Sequence, residues 1–520
     1  MSVTVEPANR AQEKGLKTGA LGLISSVVIG IASTAPAYSL AATLGFVVVA
    51  IGLQAPIVTI LAFVPMFFIS IAFQQMNRAD PDCGATFTWA TRAFTPRVGW
   101  MGGWGVLAAD IIVMASLAQI AGQYVFDLFN AKGIGDNASS VFVLLVGIAW
   151  IIAMTWICYV GIEISANFQK ALLGIEFTML MVLSIWALIR VGNGTAPVGH
   201  LTPSFTWFNP FDIKHFNDFV VGLADMLFIY WGWDTALNLN EETADAETTP
   251  GKAGVISTFF LLGIYALVIL AVQSFAGIGT KGIGLGNVNH IGDVLSILGP
   301  AIFGHSTFAS VLSHLLLLMV LSSAAASTQT TILPTARTVL SMSVHKAVPD
   351  IFAKMHKRFL TPTVATVTFG LVSIALYVSM NFISAGQVIS DSVDALGVMI
   401  AFYYGLTGFS CVWYYRKQAT ESVRNFFVLF LMPLIGGLIL YFILGWSFWY
   451  YWNPGNSYTE WHIFGHVYGG TFLLDVGTLA IGVILMILMN TFRPAFFRGE
   501  TLNRDSPTLV TDDFGTEPAH

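Results

Sequence analysis

Among the carboxylates inside the long apolar stretches of this 520-residue chain, four bear on function: Asp110, Glu176, Asp225 and Asp234. A carboxylate at bilayer depth is costly to bury, so it is kept where it pairs, carries a proton or meets a cation. Glu176 has the sharpest implication. Burial disfavours the charged form of a carboxyl, so such a group can load and release a proton as its access to water alternates. The other reading of Glu176 is a side chain hydrogen-bonded to a neighbouring helix as packing glue. Asp110 and Asp225 also have two readings. Facing a cavity they make it anionic, which favours cationic amino acids, polyamines or a metal cation; facing neighbouring helices they are structural. Asp234 stands just before Thr235, where it either caps a restarting helix or touches a bound solute. Ser323, Ser327, Thr330 and Thr331 recur at helical spacing as one polar stripe, which close helix packing also selects.

The segments that must position these groups carry helix-start signals in their middle. In LGLISSVVIGIASTAPAYSLAATLGF, the residues Gly30, Ile31, Ala32, Ser33 and Thr34 run into Pro36, and a hydroxyl residue followed by proline is how a helix begins. In FVVGLADMLFIYWGWDTALNLNEE, Tyr230, Trp231, Gly232, Trp233 and Asp234 interrupt a helical run before Thr235. Backbone groups freed at that depth cost roughly several kcal/mol each against lipid, so both breaks must line a cavity. Two broken segments heading two halves of a chain point to a secondary transporter with its site between the halves. At the first break the N–H groups of Ile31, Ala32 and Ser33 suit a carboxylate. At the second, the carbonyls of Phe228, Ile229 and Tyr230 suit an amine. Together the two breaks predict a clamp for a zwitterion, with Trp231 and Trp233 either shaping its pocket or packing.

The composition agrees with membrane embedding: 55% hydrophobic and only 10% charged residues, with a mean hydropathy of +0.73. Windows of about 20 apolar residues predict an all-α polytopic protein with twelve transmembrane helices. With the N-terminus in the cytoplasm, only Lys132, Arg190, Lys214 and Lys281 of the 23 Lys and Arg residues fall outside, so both tails are expected inside the cell membrane. The expected organisation is a tail over 1–19, a core over 20–420 holding helices 1–10 as a five-plus-five inverted repeat, helices 11–12 over 421–492, and a tail over 493–520. The connection Gln74 to Val98 is amphipathic and is expected along the cytoplasmic interface. Cys83, Cys158 and Cys411 form neither a disulfide framework nor a metal pattern, and no cofactor motif or basic nucleic-acid surface is present. His462 and His466 lack the glutamate of a zinc-protease motif, which argues against a polytopic membrane enzyme. The short tails argue against a sensor with a soluble output domain.

The order and spacing of several pieces resemble the amino acid, polyamine and organocation (APC) superfamily of transporters. These are the broken first helix at Gly30 to Thr34, Cys83-Gly84-Ala85-Thr86-Phe87 with Gly102-Gly103-Trp104, Asn240-Glu241-Glu242, Thr249-Pro250-Gly251-Lys252-Ala253, and Ser322-Ser323 to Arg337 followed by Val348-Pro349. Members often carry Gly-x-Gly in the first helix, where Ala32 stands here, and Gly-Gly-x-x-Tyr in the following loop, where Cys83 to Phe87 stand here. The resemblance implies an inverted-repeat fold, alternating access, and amino acids or related amines as substrates. It sets Glu176 where some proton-coupled relatives carry a lysine. It also offers Ser327 and Thr328 as the counterparts of hydroxyls that hold sodium in sodium-coupled relatives. A proton is thus the expected coupling ion and sodium the alternative. An inorganic cation (potassium) transporter of the same superfamily is the runner-up, kept open by Asp110 and Asp225.

Overall fold

The computed structural model describes residues 14–137, 139–304, 306–383 and 388–507, so the outer parts of both expected tails lie outside the described residues. Helices α1 (Leu23–Thr34) and α2 (Pro36–Ile51) form the broken first segment, and α3 (Ala55–Ala79) returns. The short α4 (Thr86–Ala93) leads into α5 (Pro96–Leu128), followed by the single turn α6 (Lys132–Gly135), α7 (Val141–Val160) and α8 (Ile162–Gly192). The second broken segment is α9 (Phe216–Ile229) with α10 (Thr235–Asn238). Beyond it run α11 (Thr249–Ala276), α12 (Leu295–Phe303), α13 (Thr307–Val344), α14 (Thr363–Ile383) and α15 (Val388–Tyr414). A turn α16 (Val423–Asn425) opens α17 (Met432–Tyr451), a hairpin of β1 (Glu460–Ile463) and β2 (His466–Gly469) follows, and α18 (Gly470–Phe492) and α19 (Pro494–Phe497) close the described chain.

Ten stretches among the described residues are long and apolar enough to cross a membrane. Leu23–Ala79 is one of them, because only a short turn at Gly52 separates α2 from α3. The α9–α10 pair is not among them, since its 14 and 4 residues fall short of the roughly 20 that span a bilayer. The two broken segments lie at the centre: α1 packs on α11 and α13, α2 packs on α9, and α5 packs on α13 and α15.

One expectation changes here. The connection from Gln74 to Val98 does not lie along an interface, because all eight residues of α4 are buried. Its aromatic residues are the reason. Phe87 stacks on Phe496 with centroids 5.3 Å apart, and Trp89 meets Phe73 edge-on at 5.3 Å, so α4 docks into the bundle and is covered by the C-terminal segment.

Both ends of the described chain converge on one face, called here the tail face. Lys14 Nζ lies 2.6 Å from Asp82 Oδ2 and 2.5 Å from Glu241 Oε1, all three side chains at most 2% exposed. Arg337 forks onto Glu242 at 2.7 and 3.0 Å. Arg92 pairs with Asp80 at 2.5 Å and donates to the Ser506 carbonyl at 2.6 Å, holding the C-terminal segment. Leu21 adds two backbone bonds, to the Glu242 carbonyl at 3.0 Å and from the Ala244 N–H at 2.8 Å. Cys83, scattered from the other cysteines in sequence, joins Asp82 and Glu241 with ligand atoms within 4.8 Å of one another. The Lys14 ammonium sits among them, so this group holds a cation that the chain supplies.

Candidate functional site

The first break falls at Ala35, one residue beyond the stretch that the sequence marks. Ala35 adopts φ 45° and ψ 64°, a left-handed conformation costing a β-carbon-bearing residue about 1–2 kcal/mol, and Pro36 then opens α2. Ile31, Ala32 and Ser33 consequently lie in the last turns of α1, and their N–H groups belong to that helix. The expectation that these N–H groups are free is corrected: a hydroxyl-Pro signal marks the restart, but the chain stays helical until Ala35 turns it.

Every backbone group around this break has a partner. The carbonyl of Ile31 accepts from the Thr34 hydroxyl at 2.7 Å, that of Ala32 from Ala35 N–H at 3.1 Å, that of Ser33 from Ser327 Oγ at 3.1 Å, and that of Thr34 from Ser39 Oγ at 2.6 Å. On the restarting side, Ala37 N–H donates to Glu176 Oε1 at 2.6 Å, Tyr38 N–H to Ser323 Oγ at 3.2 Å and Ser39 N–H to the Ala35 carbonyl at 2.8 Å. Glu176 is fully buried. Its Oε1 accepts a second bond from Ser323 Oγ at 2.7 Å, while its Oε2 has no hydrogen-bond partner among the described residues. The glutamate thus caps the positive end of α2.

At the second break the Phe228 carbonyl accepts from Trp231 N–H at 3.1 Å, and the Ile229 carbonyl accepts from the Tyr265 hydroxyl. The Tyr230 carbonyl takes no hydrogen bond from a described residue. Asp234 does not cap α10 through its side chain. Its two oxygens accept from Tyr404 at 2.8 Å and Tyr403 at 2.9 Å instead. Trp231 donates its ring N–H to the Tyr403 hydroxyl. Trp233 is fully buried between Phe73 and Tyr404, both rings 5.1 Å away, which is a packing position.

The two breaks meet. Ser33 and Thr235 hydroxyls are 2.8 Å apart, and Thr235 passes the contact to the Thr330 carbonyl on α13 at 3.2 Å. Gly232, at φ 117°, permits this approach, because a β-carbon there would lie 2.8 Å from the backbone carbonyl of Ser33. Gly30 is also close-packed, its β-carbon position lying 2.8 Å from Ser257 Oγ. From the polar stripe, Ser327 and Ser323 reach the first break and Thr330 the second. Thr328 turns the other way, back-bonded to Ala324 at 2.6 Å and facing Trp150, so it does not join Ser327 at the α1 carbonyls.

Asp110 joins the central group. It accepts from Thr335 and lies within electrostatic reach of Asp234 and Tyr403. Asp225 does not. It is buried on α9, nine residues before Asp234 and on the far side of the break, and its ionisable neighbours are Tyr450, Tyr451 and Tyr458 on the face opposite the tails. No Lys, Arg or His pairs with Asp110, Glu176, Asp225 or Asp234 among the described residues. The sequence reading missed Tyr265, Tyr403, Tyr404 and Thr335. A pair of tyrosines in an apolar helix is a weak signal, since spacing does not tell which carboxylate a distant helix will meet.

Two broken helices with facing interruptions, inside a bundle of apolar spans, define a multi-pass membrane protein built around a central polar site. The family description Amino acid permease matches residues 19–473, so the chain belongs to that family, whose members are permeases rather than enzymes. Among similar proteins, an uncharacterised transporter of Mycobacterium tuberculosis is 24% identical over 89% of this chain and 90% of its own length. A low-affinity putrescine importer of Escherichia coli is 22% identical over 84% of this chain and 90% of its own. A branched-chain amino acid permease of Lactococcus lactis is 21% identical over 72% and 78%.

Proposed function

We propose that the protein is a secondary active transporter that moves amino acids or related amines by alternating access, coupled to protons through Glu176. The observation that carries this reading is the meeting of the two breaks at Ser33 and Thr235, bounded by Glu176 on one side and Asp234 on the other. Rearranging either half-helix changes which face reaches that site, while the polar backbone remains shielded from lipid. A buried carboxyl between a helix N-terminus and a hydroxyl can change protonation as its surroundings open. In this reading the α9–α10 pair is the sixth of twelve crossings, the core is a five-plus-five inverted repeat, and the tail face is cytoplasmic, in keeping with its Lys and Arg excess. Names among the relatives, a putrescine importer and a branched-chain amino acid permease, support a small nitrogenous substrate.

The test is uptake into proteoliposomes of labelled neutral amino acids, basic amino acids and diamines, under a pH gradient and separately under a sodium gradient. Proton-driven accumulation that disappears in Glu176→Gln, with exchange retained, is the expected result. Sodium-driven uptake lost in Ser327→Ala would move the coupling to the α1 carbonyl that Ser327 holds. Potassium flux without movement of any organic substrate would overturn the reading in favour of an inorganic cation transporter.

A further inference from the structure

The N-terminus of α2 is the feature best suited to a substrate carboxylate, and the chain already fills it. Pro36 has no N–H, and the next three donors, Ala37, Tyr38 and Ser39, are bonded to Glu176, Ser323 and Ala35. Glu176 Oε1 collects both the Ala37 N–H and the Ser323 hydroxyl. Those two donors are consumed whether or not the carboxyl carries a proton. A second carboxylate arriving there would find no donor and would lie against the oxygen of Glu176, a desolvated repulsion that costs affinity.

Apart from the Trp233 ring N–H, buried between Phe73 and Tyr404 without a partner among the described residues, the rest of the site is built of acceptors. Asp234 sits between two tyrosine hydroxyls and Asp110 lies within its electrostatic reach; among the described residues the Tyr230 carbonyl meets no donor and the buried Glu176 Oε2 has no partner. None of these carboxylates is matched by a Lys, Arg or His among the described residues. Acceptors without a cation call for ammonium donors, and donors already consumed exclude a carboxylate.

We propose that the central site selects organic amines lacking an α-carboxylate, with Glu176 standing where the carboxylate of an amino acid would otherwise bind. This deepens, and rests on, the transport reading above. The substrate class is then a primary amine or diamine, held by the Asp234 carboxylate and the Tyr230 carbonyl, and Glu176 is a specificity determinant as well as a proton carrier.

The experiment uses matched probes that differ by one carboxylate: 1,4-diaminobutane against ornithine, and 1,5-diaminopentane against lysine. Each competes for uptake, and for ligand-induced thermal stabilisation, with the full-length protein in proteoliposomes or detergent. The wild-type protein is expected to take each diamine at a concentration at least about tenfold lower than its carboxylated partner. In Glu176→Ala, which releases Ala37 N–H and the Ser323 hydroxyl, that ratio is expected to fall to about threefold or less through a gain for ornithine and lysine. Ornithine or lysine equal to or better than the diamine in wild type overturns this inference alone and leaves the transport reading standing. Stabilisation by none of the four probes, together with no organic uptake, overturns both. The wild-type ratio needs no variant, so a Glu176→Ala protein that fails to fold leaves the decision intact.

Discussion

At the tail face Asp82, Glu241, Glu242 and Asp80 each meet a lysine or arginine within 2.7 Å, whereas at the centre Glu176, Asp234 and Asp110 meet, among the described residues, hydroxyls and one backbone N–H but no cation. Both groups are buried to a similar degree. The difference lies in where the compensating charge comes from. At the tail face it comes from other segments of the same chain, the N-terminal Lys14, Arg92 on α4 and Arg337 on α13, so each ion pair ties one segment to another. At the centre hydrogen bonds orient the carboxylates without neutralising them. Buried charge thus fastens the protein at one level and leaves room for a cation from outside at the other, and the two levels should respond differently to substitution.

The largest effect is expected from Arg337→Met. It strands the buried Glu242 carboxylate, and removing one partner of a buried pair costs about 3–5 kcal/mol. The unfolding midpoint in detergent should fall sharply, and adding Glu242→Leu should restore much of it. If Arg337→Met is as stable as wild type, the fastening role of the tail-face pairs is wrong. Glu176→Gln should do the opposite. No cation is stranded and the bonds from Ala37 and Ser323 can persist, so stability should stay within about 1 kcal/mol, while proton-driven accumulation falls about tenfold or more. A stability loss matching that of Arg337→Met would place Glu176 with the fasteners. Asp234→Asn is expected to be milder in fold and still costly in function. The amide oxygen still serves one tyrosine, but the loss of charge should weaken amine uptake by about tenfold, roughly 1.4 kcal/mol, with less effect on a neutral competitor.

The broad architecture was legible because it rests on composition and local signals. Apolar runs of bilayer length, a Ser-Thr-Ala-Pro stretch and a Trp-Gly-Trp-Asp stretch mark where helices start, stop and break. Such signals have a resolution of a residue or two. They could not show that Ala35 takes the turn alone, which moved the helix-start N–H groups from Ile31–Ser33 to Ala37, Tyr38 and Ser39, where the chain itself bonds them. Partnerships between distant helices were not legible. Glu176 could be singled out by its type, but its place on the N-terminus of α2 depends on how α8 packs against α1, α2 and α13. Lys14 was invisible for the same reason: a lysine in a polar tail reads as solvated until the tail folds back onto Asp82 and Glu241. Thr328 shows the converse error, a neighbour of Ser327 in sequence that the helix turns to the other side.

The smallest effect concerns pH at the tail face, where one ammonium serves two carboxylates. Burial alone would raise Asp82, but the Lys14 ammonium and then the His345 ring outweigh it and hold Asp82 well below the usual carboxylate range. Glu241 takes the residual cost. Burial pushes it up to about 7, only partly opposed by Lys14 and reinforced by the Asp82 charge. In the unfolded chain its carboxyl returns to about 4.3. The folded state therefore binds the extra proton between those values, and its advantage is complete at the acid end of the window and lost as pH rises to about 7. Asp82 acts in the opposite sense but only below about pH 4, outside that window. The unfolding midpoint in detergent should therefore fall from pH 5 to 7.5 by more in wild type than in Glu241→Gln. A wild-type fall no larger than that of the variant would mean that Lys14 keeps both carboxylates charged. The tail face would then hold an uncompensated negative charge of its own, and its contrast with the centre would be one of degree.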